Sequence, residues 1–162
     1  MGIVSNKTEF LNGLRAAVGE QERRFANTVK GIVTTLHHEI TMRTPVWSGM
    51  ALASYEWTIG APRDGMPTEP VDTGPTGNTN RMPLGPEPRR ADNQAVADAS
   101  LARLSFSNPY VAFWLNNNAP HIGGLEHGAL PEAPFTPRSP QGMFNLSVHF
   151  VMEKLEAGSS LT

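Results

Sequence analysis

The chain contains no cysteine, which excludes disulfide frameworks, thiol nucleophiles, iron–sulfur clusters and cysteine zinc sites together. No run approaches the roughly 20 apolar residues that span a bilayer. The first residues lack a basic start followed by an apolar segment, so a soluble product made in the cytoplasm, without membrane contact, is expected. A surplus of positive charge is also missing: 13 basic residues face 15 acidic ones, for a formal net charge of -2. No general field therefore draws the chain onto nucleic-acid phosphates. Proline and glycine, by contrast, are plentiful. Fourteen prolines and fifteen glycines make about 18% of the sequence against an average of about 12%, which predicts long irregular segments. At 162 residues the expectation is one domain, 1–162, with a core of its own.

Apolar residues recur at helical spacing from Thr8 to Met42, through Phe10, Leu14, Val18, Phe25, Val29, Ile32, Leu36 and Ile40, and predict a long amphipathic helix. Gly13, Gly19 and Gly31 are costly inside a helix, and a bend or break is expected near Gly19. Pro45 stops the helix. The segment "MALASYEWTIG" alternates, with Ala51, Ala53, Tyr55, Trp57 and Ile59 on one face, and reads as a strand with one buried side. From Gly60 to Asn93 the sequence is dense in proline and glycine without an apolar period, which predicts an extended arm over 60–93. "SLARLSFSN" alternates through Ala102, Leu104 and Phe106 and reads as a second strand. "PYVAFWL" is too short to assign to helix or strand. Ser139 and Pro140 form an N-cap and first-turn pair for a closing helix that runs to about Ala157. The fold class is α+β: a long N-terminal helix, a small antiparallel sheet, a long Pro/Gly-rich arm and a C-terminal helix.

Chemistry has few footholds. His37, His38 and Glu39 are adjacent on the helix and point about 100° apart, so they do not close on one ion; a solvated helix face is expected. His121, Glu126 and His127 lie together in a loop and are the better acid–base or metal candidate, but they lack an evident nucleophile. Ser48 and Ser139 lack the G-x-S-x-G setting of a nucleophile elbow. Neither cofactor nor metal is expected, nor enzymatic activity. For the stretch Leu125 to Gly128 the structural reading is a turn in which Gly128 supplies a positive φ or a close approach. Glu126 there accepts hydrogen bonds from backbone or side chains, or pairs with an arginine of a neighbouring subunit. Arg81, Arg89 and Arg90 form a small basic cluster that fits either phosphate contact or a protein interface. Trp47, Tyr55, Trp57, Phe113 and Trp114 suit a core or subunit contacts.

Two short patterns carry a family resemblance. "RTPVWSGMALASYEW" places Thr44, Pro45, Val46, Ser48 and Gly49 at the end of the long helix. "NNNAPHIGGLEHGALPEAPFTPRSPQGMFNLSVHF" places Asn118, Pro120, His121, Leu125, Glu126, Gly128, Pro140, Gly142 and Met143 ahead of the closing helix. In this order the chain resembles the HK97 gene 10-like tail-component family of tailed bacteriophages and its neck or tail-completion relatives. The match covers about residues 25 to 155, with gaps. Trp47 and Ser48 stand where the family has Asp-Thr, and His127 where an aromatic is common. The resemblance implies a non-enzymatic virion protein forming a ring, six-fold, at the head–tail junction. Its partners would be its own copies and other neck and tail proteins, with DNA passing only through the channel. Subunit contacts would then draw on Trp47, Ser48, Arg81, Arg89, Arg90, Pro120, His121, Leu125, Glu126 and Gly128. Two other placements are a tail terminator or a minor tail protein. Outside the family stand a DNA-binding accessory factor that uses the arginines and a small hydrolase or metal-dependent enzyme built on His121, Glu126 and His127.

Overall fold

A computed structural model describes residues 3–46, 49–65, 90–127, 142–159 and 161, with side chains from residue 6 onward. The predicted α+β architecture is present. It comprises a long N-terminal helix α1 (Ile3–Arg43), a one-turn helix α2 (Met50–Ala53), strand β1 (Tyr55–Ile59), helix α3 (Arg90–Ala102), strand β2 (Phe113–Asn117), a short helix α4 (Ile122–Glu126) and a closing helix α5 (Phe144–Glu156).

The first helix is continuous over 41 residues, about 60 Å at 1.5 Å per residue. The break expected near Gly19 does not occur. Gly13 and Gly19 have no neighbouring atoms where a Cβ would stand, so each costs only the usual propensity penalty of about 1 kcal/mol. The helix beyond them supplies uninterrupted hydrogen bonds. From residue 31 onward α1 enters the core: Val33, Ile40 and Thr41 are buried, and Leu36 packs against the same cluster. Residues before that face solvent almost throughout.

Two strand assignments are corrected. "MALASYEWTIG" is a strand only from Tyr55. Ahead of it, Ala51, Leu52 and Ala53 are buried in succession, which a half-buried strand does not do. Gly49, with φ 88, starts the turn, and its carbonyl accepts from the amide of Ala53. "SLARLSFSN" is not a strand: Ser100 to Ala102 end α3, a turn closed by Leu104 N–H to Leu101 O at 3.0 Å follows, and the rest is irregular. Asn93, Ala97 and Ser100 are the buried positions of α3, spaced four and three apart as a helix face demands. Because α3 starts at Arg90, the last four residues assigned to the arm are helical; residues 66–89 of the arm lie outside the described set.

The unassigned "PYVAFWL" segment supplies β2, which pairs antiparallel with β1 in the register Tyr55↔Asn117, Trp57↔Leu115 and Ile59↔Phe113. This two-stranded sheet lays Tyr55 and Trp57 against α1 and α3. Ile40, Val46, Leu52, Tyr55 and Ala97 form one buried cluster, and Ala51, Ala119, Leu125 and Met143 form a second. Ile122 and Phe144 touch both. The closing helix starts at Phe144, and the expected cap Ser139-Pro140 falls outside the described residues.

Candidate functional site

Both sequence patterns turn out to sit at helix ends. The last carbonyls of a helix have no partner within it and carry partial negative charge. At the end of α1, Thr44 Oγ1 donates to Ile40 O at 2.7 Å and Thr41 Oγ1 to His37 O at 2.8 Å. Arg90, on the first turn of α3, donates from Nη1 to Thr41 O at 2.9 Å and from Nη2 to Thr44 O. A planar fork thus closes two carbonyls and brings a positive charge to the negative end of the helix. Arg90, expected on the sequence in a basic cluster for phosphate or a protein interface, has its guanidinium bound to the end of α1 within the fold. Gly49 completes the junction. A Cβ there would stand 2.2 Å from Asn93 Nδ2, and Asn93 is fully buried. Both its φ and this contact require glycine.

The second pattern caps the opposite kind of end. Glu126 Oε2 accepts from the amides of Met143 at 2.7 Å and Phe144 at 2.8 Å, and Oε1 from Asn145 at 3.1 Å. Three otherwise unpaired donors of α5 are satisfied by one carboxylate from α4, 17 to 19 residues earlier. Its charge also opposes the positive end of the helix. Gly142 makes the approach possible: with φ 101, its Cβ would come within 2.7 Å of Glu126 O and 2.8 Å of Oε1. Leu125 and Met143, on either side of the cap, are buried together. Of the two alternatives read from the sequence, backbone acceptance is the one observed for Glu126.

Tyr55 joins the two ends. Its hydroxyl lies 2.9 Å from Thr44 Oγ1 and 3.9 Å from Met143 Sδ, and its ring packs on Phe144 at 5.8 Å between centroids. Burial pushes its phenol far above the usual tyrosine range. The hydroxyl therefore stays a neutral donor between the two motifs. A phenol on one strand linking the end of α1 to the start of α5 has no sequence signature beyond an apolar-face tyrosine.

His37 is a correction as well. It is 3% exposed, not on a solvated face. Trp57 Nε1 donates to His37 Nδ1 at 3.1 Å. Because an indole nitrogen only donates, Nδ1 must be the bare nitrogen. Nε2 then carries the proton and donates to Asp98 Oδ1 at 2.8 Å, which also accepts from Gln94 Nε2 at 2.8 Å. Both ring nitrogens have protein partners, so neither is open to a substrate or a metal. The side chain pins α1 to β1 and α3.

The remaining candidates do not assemble into a catalytic group. Pro120 is exposed. His121 is half-buried, and burial holds its imidazolium below the ordinary histidine range. His127 is exposed and makes its ring contact with Gly123 O at 2.7 Å. No hydrogen bond joins either histidine to Glu126 among the described residues. No three His, Asp or Glu side chains there come together as metal ligands would. Trp47, Ser48, Arg81, Arg89 and Gly128 lie outside the described residues.

No family model matches the chain, and no curated protein or solved structure shows significant similarity to it.

Proposed function

We propose that the chain is a structural protein of a tailed-bacteriophage virion that forms a ring at the head–tail junction, as a neck or tail-completion component. The observation that carries this reading is the free half of α1. Residues 6–24 extend beyond the core for about 28 Å, and Phe10, Leu14 and Val18 along it are exposed, while Phe25 at its base packs on Tyr110 at 5.4 Å between ring centroids. A domain built to function alone has no use for a helix of this reach. A subunit that must engage copies of itself and other components does.

The site geometry supports the same reading. Glu126, the best acid–base candidate, is committed to three backbone amides, and His37 to two side chains. The patterns that resemble the phage tail-component family are thus architectural here, as a structural protein needs. Among the described residues no helix is long and apolar enough to cross a membrane.

The test is genetic. A phage carrying a null allele of the gene is expected to fill its heads and build tails that remain separate, and supplying the protein is expected to restore joined particles. Joined, infectious particles from the null phage would refute the proposal. Tails of irregular length would point to the terminator placement instead.

A further inference from the structure

We infer that two copies of the free chain pair through the projecting halves of α1, antiparallel, about a two-fold axis that passes between Gly19 and Glu20. This inference does not depend on the ring reading. It starts from the helix surface, where Phe10, Leu11, Leu14, Val18 and Phe25 are 68%, 37%, 50%, 50% and 44% exposed; Phe25, at the base of the stripe, keeps one side of its ring on Tyr110 at 5.4 Å between centroids. At 100° per residue they fall within an arc of about 100°, the width of a packing stripe. Given side-chain areas of about 150–250 Å² for large residues, these fractions leave roughly 370–620 Å² of apolar surface per copy. That is as large as the largest patch on a typical monomer. Two such stripes with their polar flanks approach the lower bound of about 1,200 Å² for a stable interface.

Charge selects a second copy and an orientation. In heptad terms Leu11, Val18 and Phe25 share one seam position, and Leu14, Gln21 and Thr28 the other. Arg15 and Glu22 then fall one heptad apart on the same flank. Both are exposed and have no ionic partner among the described residues, whereas Arg23 and Arg24 each pair with Glu20, away from this flank. In an antiparallel pair this flank meets its own copy. The two-fold axis sets Arg15 against the partner's Glu22, Glu22 against the partner's Arg15, Leu14 against the partner's Phe25, and Val18 against the partner's Gln21. A parallel pair would leave both charges against apolar residues. The lone seam glutamine near the axis fixes the register, as a buried polar residue does in coiled coils. An isologous contact of this kind closes at two copies and hides the stripe without growing into a filament.

The test uses the purified full chain in sedimentation equilibrium from 1 to 100 μM, with cysteine cross-linking in the naturally cysteine-free background. A dimer is expected. Val18→Asp should raise its dissociation constant at least about a hundredfold by placing a charge in the seam. Arg15→Glu should weaken it about tenfold, and Arg15→Glu combined with Glu22→Arg should restore it. Both positions are on the solvent side of the helix, so circular dichroism of the variants should match the parent. A mixture of Leu14→Cys and Phe25→Cys chains should cross-link, and Leu14→Cys alone should not. A monomer throughout the range, a species larger than a dimer, efficient self-cross-linking of Leu14→Cys, or failure of the charge swap to restore association would each overturn the inference.

Discussion

Replacing Glu126 by alanine removes three hydrogen bonds and one charge from the start of α5 while leaving every apolar contact of that helix in place. The three amides do not suffer equally. Met143 is fully buried, so its N–H is left without water or protein, at about 2 kcal/mol. Asn145 is exposed and recovers its bond from solvent. Loss of an anion at the positive end of the helix adds about 1 kcal/mol. The expected destabilisation is thus about 3 kcal/mol, or a fall in Tm of roughly 6–12 °C for a chain of this size. Glu126→Gln keeps one acceptor but turns an NH₂ toward an amide donor, and should cost about half as much. Thermal and urea unfolding monitored by circular dichroism measure both, and amide exchange should show the first turn of α5 losing protection ahead of the rest. A loss below about 1 kcal/mol for Glu126→Ala would show that the cap is incidental and that the reading of this motif as architecture is wrong.

Three further outcomes follow from the same geometry. Gly142→Ala should destabilise by about 2–3 kcal/mol, since the position needs a positive φ and has no room beside Glu126; in a thermodynamic cycle with Glu126→Ala the two losses should be less than additive. Arg90→Ala should lower stability by about 1–2 kcal/mol through the uncovered carbonyls of Thr41 and Thr44, and Arg90→Lys should recover less than half of that, because an ammonium does not reproduce the fork. His121 should make folding sensitive to acid. Its folded-state pKa is depressed by burial, so the unfolded chain binds the proton first and stability falls as pH drops below the ordinary histidine value of about 6.5. Urea titrations of His121→Asn between pH 5 and 8 should show a shallower decline than the parent, and an identical slope would count against the burial effect.

What the sequence discloses and what it conceals have separate physical causes. The long helix is legible because large apolar side chains repeat at its period from Phe10 to Ile40, and β2 hides in "PYVAFWL" because five residues cannot express one. α3 is concealed for a different reason: its buried face consists of Asn93, Ala97 and Ser100, small or polar residues that leave no hydrophobic period. The same weakness hides the helical turn of "MALA", since alanines fit either period. At the site, Leu125-Glu126 and Gly142-Met143 stand out in the sequence as parts of a single pattern. The bond between them does not, because a carboxylate capping a helix 17 residues away has no local spacing to recognise. The burial of His37 is masked in the sequence by its polar neighbours His38 and Glu39. Its burial comes from Trp57 and Asp98 on other elements, which only the tertiary fold brings in.

The central claim is that this chain is a structural part whose exposed helix is completed by other molecules. The most direct measurement is a reconstruction of the whole phage particle at a resolution that traces the chain. The account predicts repeated copies encircling the channel between head and tail, with α1 of each in contact with a neighbouring chain. Particles in which the chain is absent, or in which residues 6–24 of every copy face solvent alone, would contradict it.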